Sequence, residues 1–398
     1  MHWGGDARER IVKVTTFVRA KNLVTPHNVM DGVRVPINKP FIGDEEIKAV
    51  NEVLKEANLT SANFDAGKKV RELERALAAY LQVKDVVAVN SGTSALLASL
   101  MALGIGVGDE VIVPSFTFAA TANAVKACGA TPVFADIGLD DFCIDPADVK
   151  AKITPKTKAI IPVDIYGNVG KVREVKEIAS ASGIPTVEDA AQALGSMDNG
   201  AYAGTLCDLG CFSFYPSKVI TTGEGGAIAT NNEELGRKLR MIRNHGMVQG
   251  YDTTILGLNL RLPEMEAAIG VEQLKKMENF IQIRRKNALA FSEKLRDAST
   301  VVPPTEPTGK RYNWYLYTIY VKASRDALMQ RLRAAGYGAV VYYDPPVHLT
   351  PYYQQFVRTP LKVTEDASKH VLCLPVHQGV KMEEIEEMAL LAKTFGNA

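Results

Sequence analysis

Apolar positions along the chain follow two periods. Across residues 44–56, Ile47, Val50, Val53 and Leu54 recur at helical spacing and predict an amphipathic helix, and a second is predicted over 69–81. From residue 86 to about 230 the pattern changes to short apolar runs at 86–89, 110–114, 132–136, 159–164, 186–188, 210–214 and 226–229. Helical stretches at 94–103, 117–127 and 172–181 lie between some of them, and Gly104, Gly129 and Gly183 fall where C-terminal caps belong. Strands alternating with helices predict an α/β domain with a large, mostly parallel, seven-stranded sheet. Helices near 233–243 and 263–297 lead out of it. Beyond a proline-rich break at 302–308, a strand at 314–321, a helix at 325–335, a strand at 339–343 and a closing helix at 381–394 predict a small α+β C-terminal domain. The expected division is an extension over 1–33, a large domain over 34–285 and a small one over 286–398.

Composition narrows the function classes. The 398 residues carry 46 Lys and Arg against 45 Asp and Glu, and 46% are hydrophobic, which fits a globular chain and not a disordered one. A net charge of +1 provides no basic footprint for nucleic acid or an anionic membrane, so neither is expected as a partner. The start of the chain reads as neither a secretory signal nor a membrane span, and the cytoplasm is the expected compartment. Five cysteines, Cys128, Cys143, Cys207, Cys211 and Cys373, include no pair at zinc-ligand spacing, and no metal is expected.

Four segments carry chemistry when read together. Asn90-Ser91-Gly92-Thr93-Ser94 lies between a strand and a helix, where free N–H groups and the helix dipole favour a phosphate. Asp189, in Val187-Glu188-Asp189-Ala190-Ala191-Gln192, ends an apolar strand, the edge of a parallel sheet at which ligands gather. A carboxylate there would keep a pyridine nitrogen protonated, and Gln192 could reach a ring hydroxyl. Lys218 follows a strand in the run from Cys211 through Ser213, and precedes the glycine-rich Thr221-Thr222-Gly223-Glu224-Gly225-Gly226, a setting for a Schiff-base amine. Ser115-Phe116-Thr117-Phe118 offers an aromatic face for a planar ring. Taken singly, these also read as a helix cap, a capping aspartate, a solvated lysine and a core phenylalanine. Their order along the chain favours pyridoxal phosphate.

From about Val35 to Leu391 the chain resembles the DegT-type nucleotide-sugar aminotransferases, fold-type-I pyridoxal phosphate enzymes that include perosamine synthases. The matching stretches are residues 40–47, 91–96, 108–114, 188–193, 213–218 with its glycine tail, Arg243-Asn244-His245-Gly246, and 257–262. The resemblance implies that Lys218 forms the Schiff base and shuttles the proton. It further implies that Asp189 pairs with the pyridine nitrogen, Gln192 contacts the ring oxygen and Phe118 stacks on the ring. Gly92, Thr93, Ser94 and Ser213 would cradle the phosphate. Asn259 would reach the phosphate in a neighbouring subunit, which implies a homodimer with shared sites.

The same resemblance implies a two-stage exchange, in which glutamate, or glutamine, aminates the cofactor and the pyridoxamine phosphate form passes nitrogen to a nucleotide-linked keto-6-deoxysugar. Lys218 separates the chain from related dehydratases that carry histidine there. The tail from Ile220 to Gly226 resembles members acting on 4-keto sugars. Tyr315 and Tyr342 replace histidines common in the family, and with His348 they are candidates for contacting the acceptor or for packing between domains. Rival readings are a 3-keto sugar or keto-inositol as acceptor, and a cofactor-binding regulator without turnover. A nicotinamide dehydrogenase is disfavoured, since no Gly-x-Gly-x-x-Gly follows the first strand of the α/β domain.

Overall fold

The alternating pattern folds into two sheets that meet edge to edge, as seen in a computed structural model that describes residues 33–396. The extension expected over 1–33 lies outside the described residues apart from Val33. Five strands come from the centre of the chain: β1 (Asp85–Val89), β2 (Glu110–Pro114), β3 (Thr131–Ala135), β4 (Thr157–Ile160) and β5 (Val187–Asp189). Two more follow, β6 (Leu209–Ser213) and β7 (Gly226–Thr230). One sheet has the order β1-β7-β6-β5 and the other β3-β2-β4. Pairing is parallel between β5 and β6 and within the three-stranded sheet, whereas β7 runs antiparallel to both β1 and β6.

A single continuous ladder of seven was expected, and the seam between β4 and β5 departs from it. There the strands touch only through isolated parallel bridges, Ile160 to Thr186 and Val163 to Asp189. Pro162 and Pro185 flank the seam and have no N–H to donate, so each serves only as an acceptor, from Asp189 N at 2.9 Å and from Ile160 N at 3.2 Å. The strand expected over 159–164 accordingly stops at Ile160.

Helices cover these sheets. They are α1 (Asp44–Glu56), α2 (Lys68–Leu81), α3 (Gly92–Ala102), α4 (Ala119–Ala127), α5 (Pro146–Lys152), α6 (Val172–Ala181) and α7 (Glu233–Arg243). The 32-residue α8 (Glu264–Leu295) packs on α1 and α2 and runs unbroken through the junction expected at 285/286. Gly104, Gly129 and Gly183 all have positive φ, the backbone needed to leave a helix.

In the C-terminal part, β8 (Tyr317–Val321) pairs antiparallel with β9 (Val371–Leu374), flanked by α9 (Arg325–Ala334), α10 (Lys362–His370) and α11 (Met382–Lys393). Residues 339–343 do not form the expected strand. They touch β9 only at Val340–Cys373, and the Tyr342 carbonyl accepts from the Tyr166 hydroxyl instead of a ladder partner. The α10–β9 unit has no counterpart in the sequence reading. Its helix lacks a local cap, and Asp136 at the end of β3 supplies one, accepting from Val363 N and Thr364 N at 3.1 and 2.8 Å.

Candidate active site

The first segment forms as a capped helix start. Ser91 Oγ accepts from Ser94 N at 3.0 Å, the N-cap bond of α3, and Ser94 Oγ donates to Asn90 Oδ1 at 2.6 Å. The N–H groups of Gly92 and Thr93 lie in the first turn, where a helix has no internal acceptor for them. Thr93 is exposed. A Cβ at Gly92 would stand 2.8 Å from the Cβ of Ser213, so only glycine lets the start of α3 meet the end of β6. One at Gly226 would fall 2.5 Å from the Ser91 carbonyl.

Asp189 ends β5 as a buried carboxylate. Its Oδ2 accepts from Thr121 Oγ1 of α4 at 2.8 Å and its Oδ1 from Ala191 N at 3.3 Å. Burial pushes this carboxyl above the usual carboxylate range, while the Thr121 hydroxyl, the Ala191 N–H and the charge of Lys218 pull the other way. Gln192, one turn on, is also buried.

Lys218 sits in a loop pinned at both ends. Phe214 N donates to Gly225 O and Thr222 N to Phe214 O, both at 2.9 Å, while Thr221 Oγ1 donates to Phe214 O at 2.8 Å. The Lys218 Nζ lies 4.8 Å from the centroid of the Tyr315 ring, and the Tyr315 hydroxyl is 3.0 Å from Ser217 Oγ. Gln192, Ser213, Lys218, Val219, Ile220 and Asn313 line one cleft. A larger cleft, lined by Asp65, Asp85, Arg237 and Arg240 among others, includes none of the site residues expected from the sequence.

Aromatic side chains crowd one side of the Lys218 cleft. Tyr342 and Tyr343 stack tilted at 5.3 Å, and Tyr343 lies 6.1 Å from Phe118, whose ring is 59% exposed and open to a planar partner. Burial pushes the Tyr342 and Tyr343 hydroxyls upward, keeping both neutral hydrogen-bonding groups. The structure does not bring His348 to this group. Its ring is fully buried between Ser115 Oγ, 2.5 Å from Nδ1, and Glu365, 3.5 Å from Nε2, which leaves neither nitrogen for a ligand. Asn259 has an exposed side chain, and its carbonyl receives Asn90 Nδ2 at 3.5 Å.

Three functional neighbours escape the sequence reading. Thr121 orients Asp189, Tyr166 N holds Gln192 Oε1 at 2.7 Å, and Asn313 Nδ2 donates to the carbonyls of Gln192 and Leu194, both at 3.0 Å. Asn313 Oδ1 also receives Tyr315 N at 2.9 Å, tying the Gln192 turn to the C-terminal part. No periodicity marks them. Tyr166, at φ 61°, and Gly167, at φ 90°, form a tight turn.

This arrangement of a buried carboxylate, a loop lysine and a glycine-bearing helix start agrees with the DegT/DnrJ/EryC1/StrS aminotransferase family, which matches residues 40–390. The chain belongs to that family. As a member it is a pyridoxal phosphate-dependent aminotransferase with nucleotide-sugar aminotransferases as its relatives. The GDP-perosamine synthase of Caulobacter vibrioides is 36% identical over 89% of this chain and 96% of its own length. The UDP-N-acetyl-3-dehydro-alpha-D-glucosamine 3-aminotransferase of Acidithiobacillus ferrooxidans is 38% identical over 88% and 93%. Among solved structures, S. venezuelae DesV superposes with a TM-score of 0.86 at 33% identity, covering 92% of this chain and all of DesV.

Proposed function

We propose that the chain transfers an amino group from glutamate to a nucleotide-linked keto-6-deoxysugar, with a 4-keto sugar as the preferred acceptor and pyridoxal phosphate as cofactor. The observation that carries this reading is the cleft itself: Lys218 lines it together with Gln192 and Ser213, and Asp189 lies three residues before Gln192 as a buried carboxylate at the end of β5.

The residues present fit the cofactor. The Gly92 and Thr93 N–H groups with the hydroxyls of Thr93, Ser94 and Ser213 suit a phosphate, and a side chain at Gly92 would fill that cradle. Asp189 suits the ring nitrogen, Gln192 Nε2 the ring oxygen, and the exposed face of Phe118 the ring itself. When bound, pyridoxal phosphate supplies an aldehyde that takes up the amino group and a ring that withdraws electrons from the carbon losing its proton. Around it, Lys218 Nζ would be the amine that holds the cofactor and would carry the proton. The Asp189 carboxylate keeps the ring nitrogen protonated, and Val219 and Ile220, both buried, keep water from the amine.

The 4-keto preference rests on the tail from Ile220 to Gly226. A 3-keto acceptor is the second reading, favoured by the 38% identical relative named as a 3-aminotransferase. A half-reaction screen decides between them. The pyridoxamine form is mixed with nucleotide-linked 4-keto and 3-keto sugars and its conversion followed by absorbance. Faster conversion by the 4-keto sugar is expected, faster conversion by the 3-keto sugar favours the second reading, and no conversion by either rejects both.

The active unit in this reading is a homodimer in which Asn259 serves the partner's phosphate. Its side chain is exposed while its backbone bridges Asn244. Mixing Lys218→Ala with Asn259→Ala protein should restore about a quarter to half of the activity if the sites are shared, by leaving one intact site in each heterodimer. No recovery after demonstrated subunit exchange would reject sharing.

A further inference from the structure

Three carboxyl groups gather at the end of β5. Glu188 and Asp189 belong to that strand, and Asp164 lies across the seam, its N–H donating to the Asp189 carbonyl at 3.1 Å. All three side chains are buried, Asp164 and Glu188 completely. Their surroundings differ. Glu188 receives Gly204 N on Oε1 at 2.7 Å and Leu206 N on Oε2 at 3.0 Å. Asp189 receives Thr121 and Ala191. Neither oxygen of Asp164 meets a donor among the described residues, and its carboxyl is buried across the seam from the strand that carries Glu188.

Backbone N–H donors stabilise an ionised carboxylate, and two carboxylates sharing a dry site cannot both ionise. Glu188 holds the donors, so the proton belongs on its neighbour. We propose that Asp164 is a neutral carboxylic acid that shares its proton with the Glu188 carboxylate, and that it acts as a positioning residue by adding no second charge beside Asp189. The role rests on the reading of Asp189 as partner of the ring nitrogen. The nearby positive charge that acts on Asp164 is Lys310, whose ammonium is held by the carbonyls of Val169 and Gly170. Cys143, Cys207 and Tyr312 also feel its charge, and each is pushed upward by burial and so neutral.

Burial and the Glu188 and Asp189 charges push the Asp164 carboxyl well above its unfolded range, and Lys310 only partly offsets them. Sharing the proton therefore stabilises the fold at low pH, and that stabilisation is lost as pH rises through the folded value. Infrared spectra of the full-length protein at neutral pH test the proton. A carboxylic-acid C=O band is expected that Asp164→Asn deletes, and that shifts in wild-type protein labelled with [13C]aspartate. A shift on labelling glutamate instead, or no acid band at all, overturns the assignment without reference to the cofactor, and the labelling needs no variant to fold. The positioning role has its own readout in the loaded enzyme. Asp164→Asn should move the alkaline limit of the cofactor's visible band to lower pH, because the second anion that would help hold the ring proton there can no longer form, and an unmoved limit overturns the role even where the acid band is found.

Discussion

The N–H of Tyr166 donates to Oε1 of Gln192 at 2.7 Å, and that bond decides which end of the Gln192 amide faces the cleft. With the oxygen anchored, Nε2 turns toward the Tyr343 hydroxyl at 3.3 Å and presents a donor to the proposed ring oxygen. Tyr166 reaches this position with φ of 61°, a left-handed conformation that costs a non-glycine residue roughly 1–2 kcal/mol.

Gln192→Glu keeps the acceptor for Tyr166 but replaces the inward donor by a carboxylate oxygen. Turnover efficiency should fall about 10- to 100-fold, the scale of one hydrogen bond made unfavourable, and the visible band of the bound cofactor should shift. Steady-state kinetics together with an absorbance spectrum check both, and an unaltered spectrum would remove Gln192 from the ring.

Lys218→Ala removes the proposed amine. A loss in kcat of about 10²- to 10⁴-fold is expected from the proton transfer alone. Stability should change little, because the substitution takes away a cation held over the Tyr315 ring, an interaction worth about 0.5–1 kcal/mol. Thermal unfolding of wild type and variant separates the two effects.

Thr121→Val preserves shape and deletes the hydroxyl on Asp189 Oδ2. Asp189 already sits above the usual carboxylate range because of burial, and losing this donor raises it further. If the ionised form is the active one, the acid limb of the kcat/KM profile moves to higher pH. A cost of about 1–3 kcal/mol in stability accompanies the unsatisfied oxygen. A pH–rate profile that does not move would separate Asp189 from catalysis.

Arg243→Met breaks a buried ion pair. Arg243 Nη1 lies 2.5 Å from Glu74 Oε1, which also accepts Ala88 N of β1, and its Nη2 donates to the Phe64 carbonyl. Leaving the buried Glu74 with only the more distant Arg240, 4.0 Å from Oε2, should cost about 3 kcal/mol, read as a lower midpoint in urea. Because β1 leads straight into the turn proposed to cradle the phosphate, cofactor affinity should weaken as well.

His377 is held neutral, accepting Gly379 N on Nδ1 and donating to the Pro36 carbonyl from Nε2. Burial lowers it from 6.5 to about 4. A group lowered in the fold contributes stability above its unfolded value, so that contribution is lost as pH falls from 6.5 toward 4, by up to about 3 kcal/mol. His377→Gln, which keeps a donor for Pro36, should flatten this acid dependence in chemical denaturation at several pH values.

Local order was legible where chemistry is consecutive in the chain. Helices over 44–56, 172–181 and 233–243 have the expected bounds, but the first does not bury the apolar face expected for it: Glu46, Ala49 and Val53 are inside, while Ile47 and Leu54 are exposed. Elements whose support comes from elsewhere were not legible. The helix Lys362–His370 depends on Asp136, more than two hundred residues away, and 339–343 gives up a strand because its carbonyl serves Tyr166. His348 is by sequence a candidate for contacting the acceptor, yet folding spends both its nitrogens on Ser115 and Glu365.

The sequence by itself determined the family, the succession along the chain of the large domain's strands and most of its helices, and the types of side chain set at strand ends, because apolar period and motif order are local properties of the chain. Tertiary structure alone decided the orientation of the Gln192 amide, the hydroxyl on Asp189 and the lack of any donor for Asp164. Each depends on a hydrogen bond made or withheld across long stretches of chain, and no spacing of residues encodes which donors a buried carboxyl will meet.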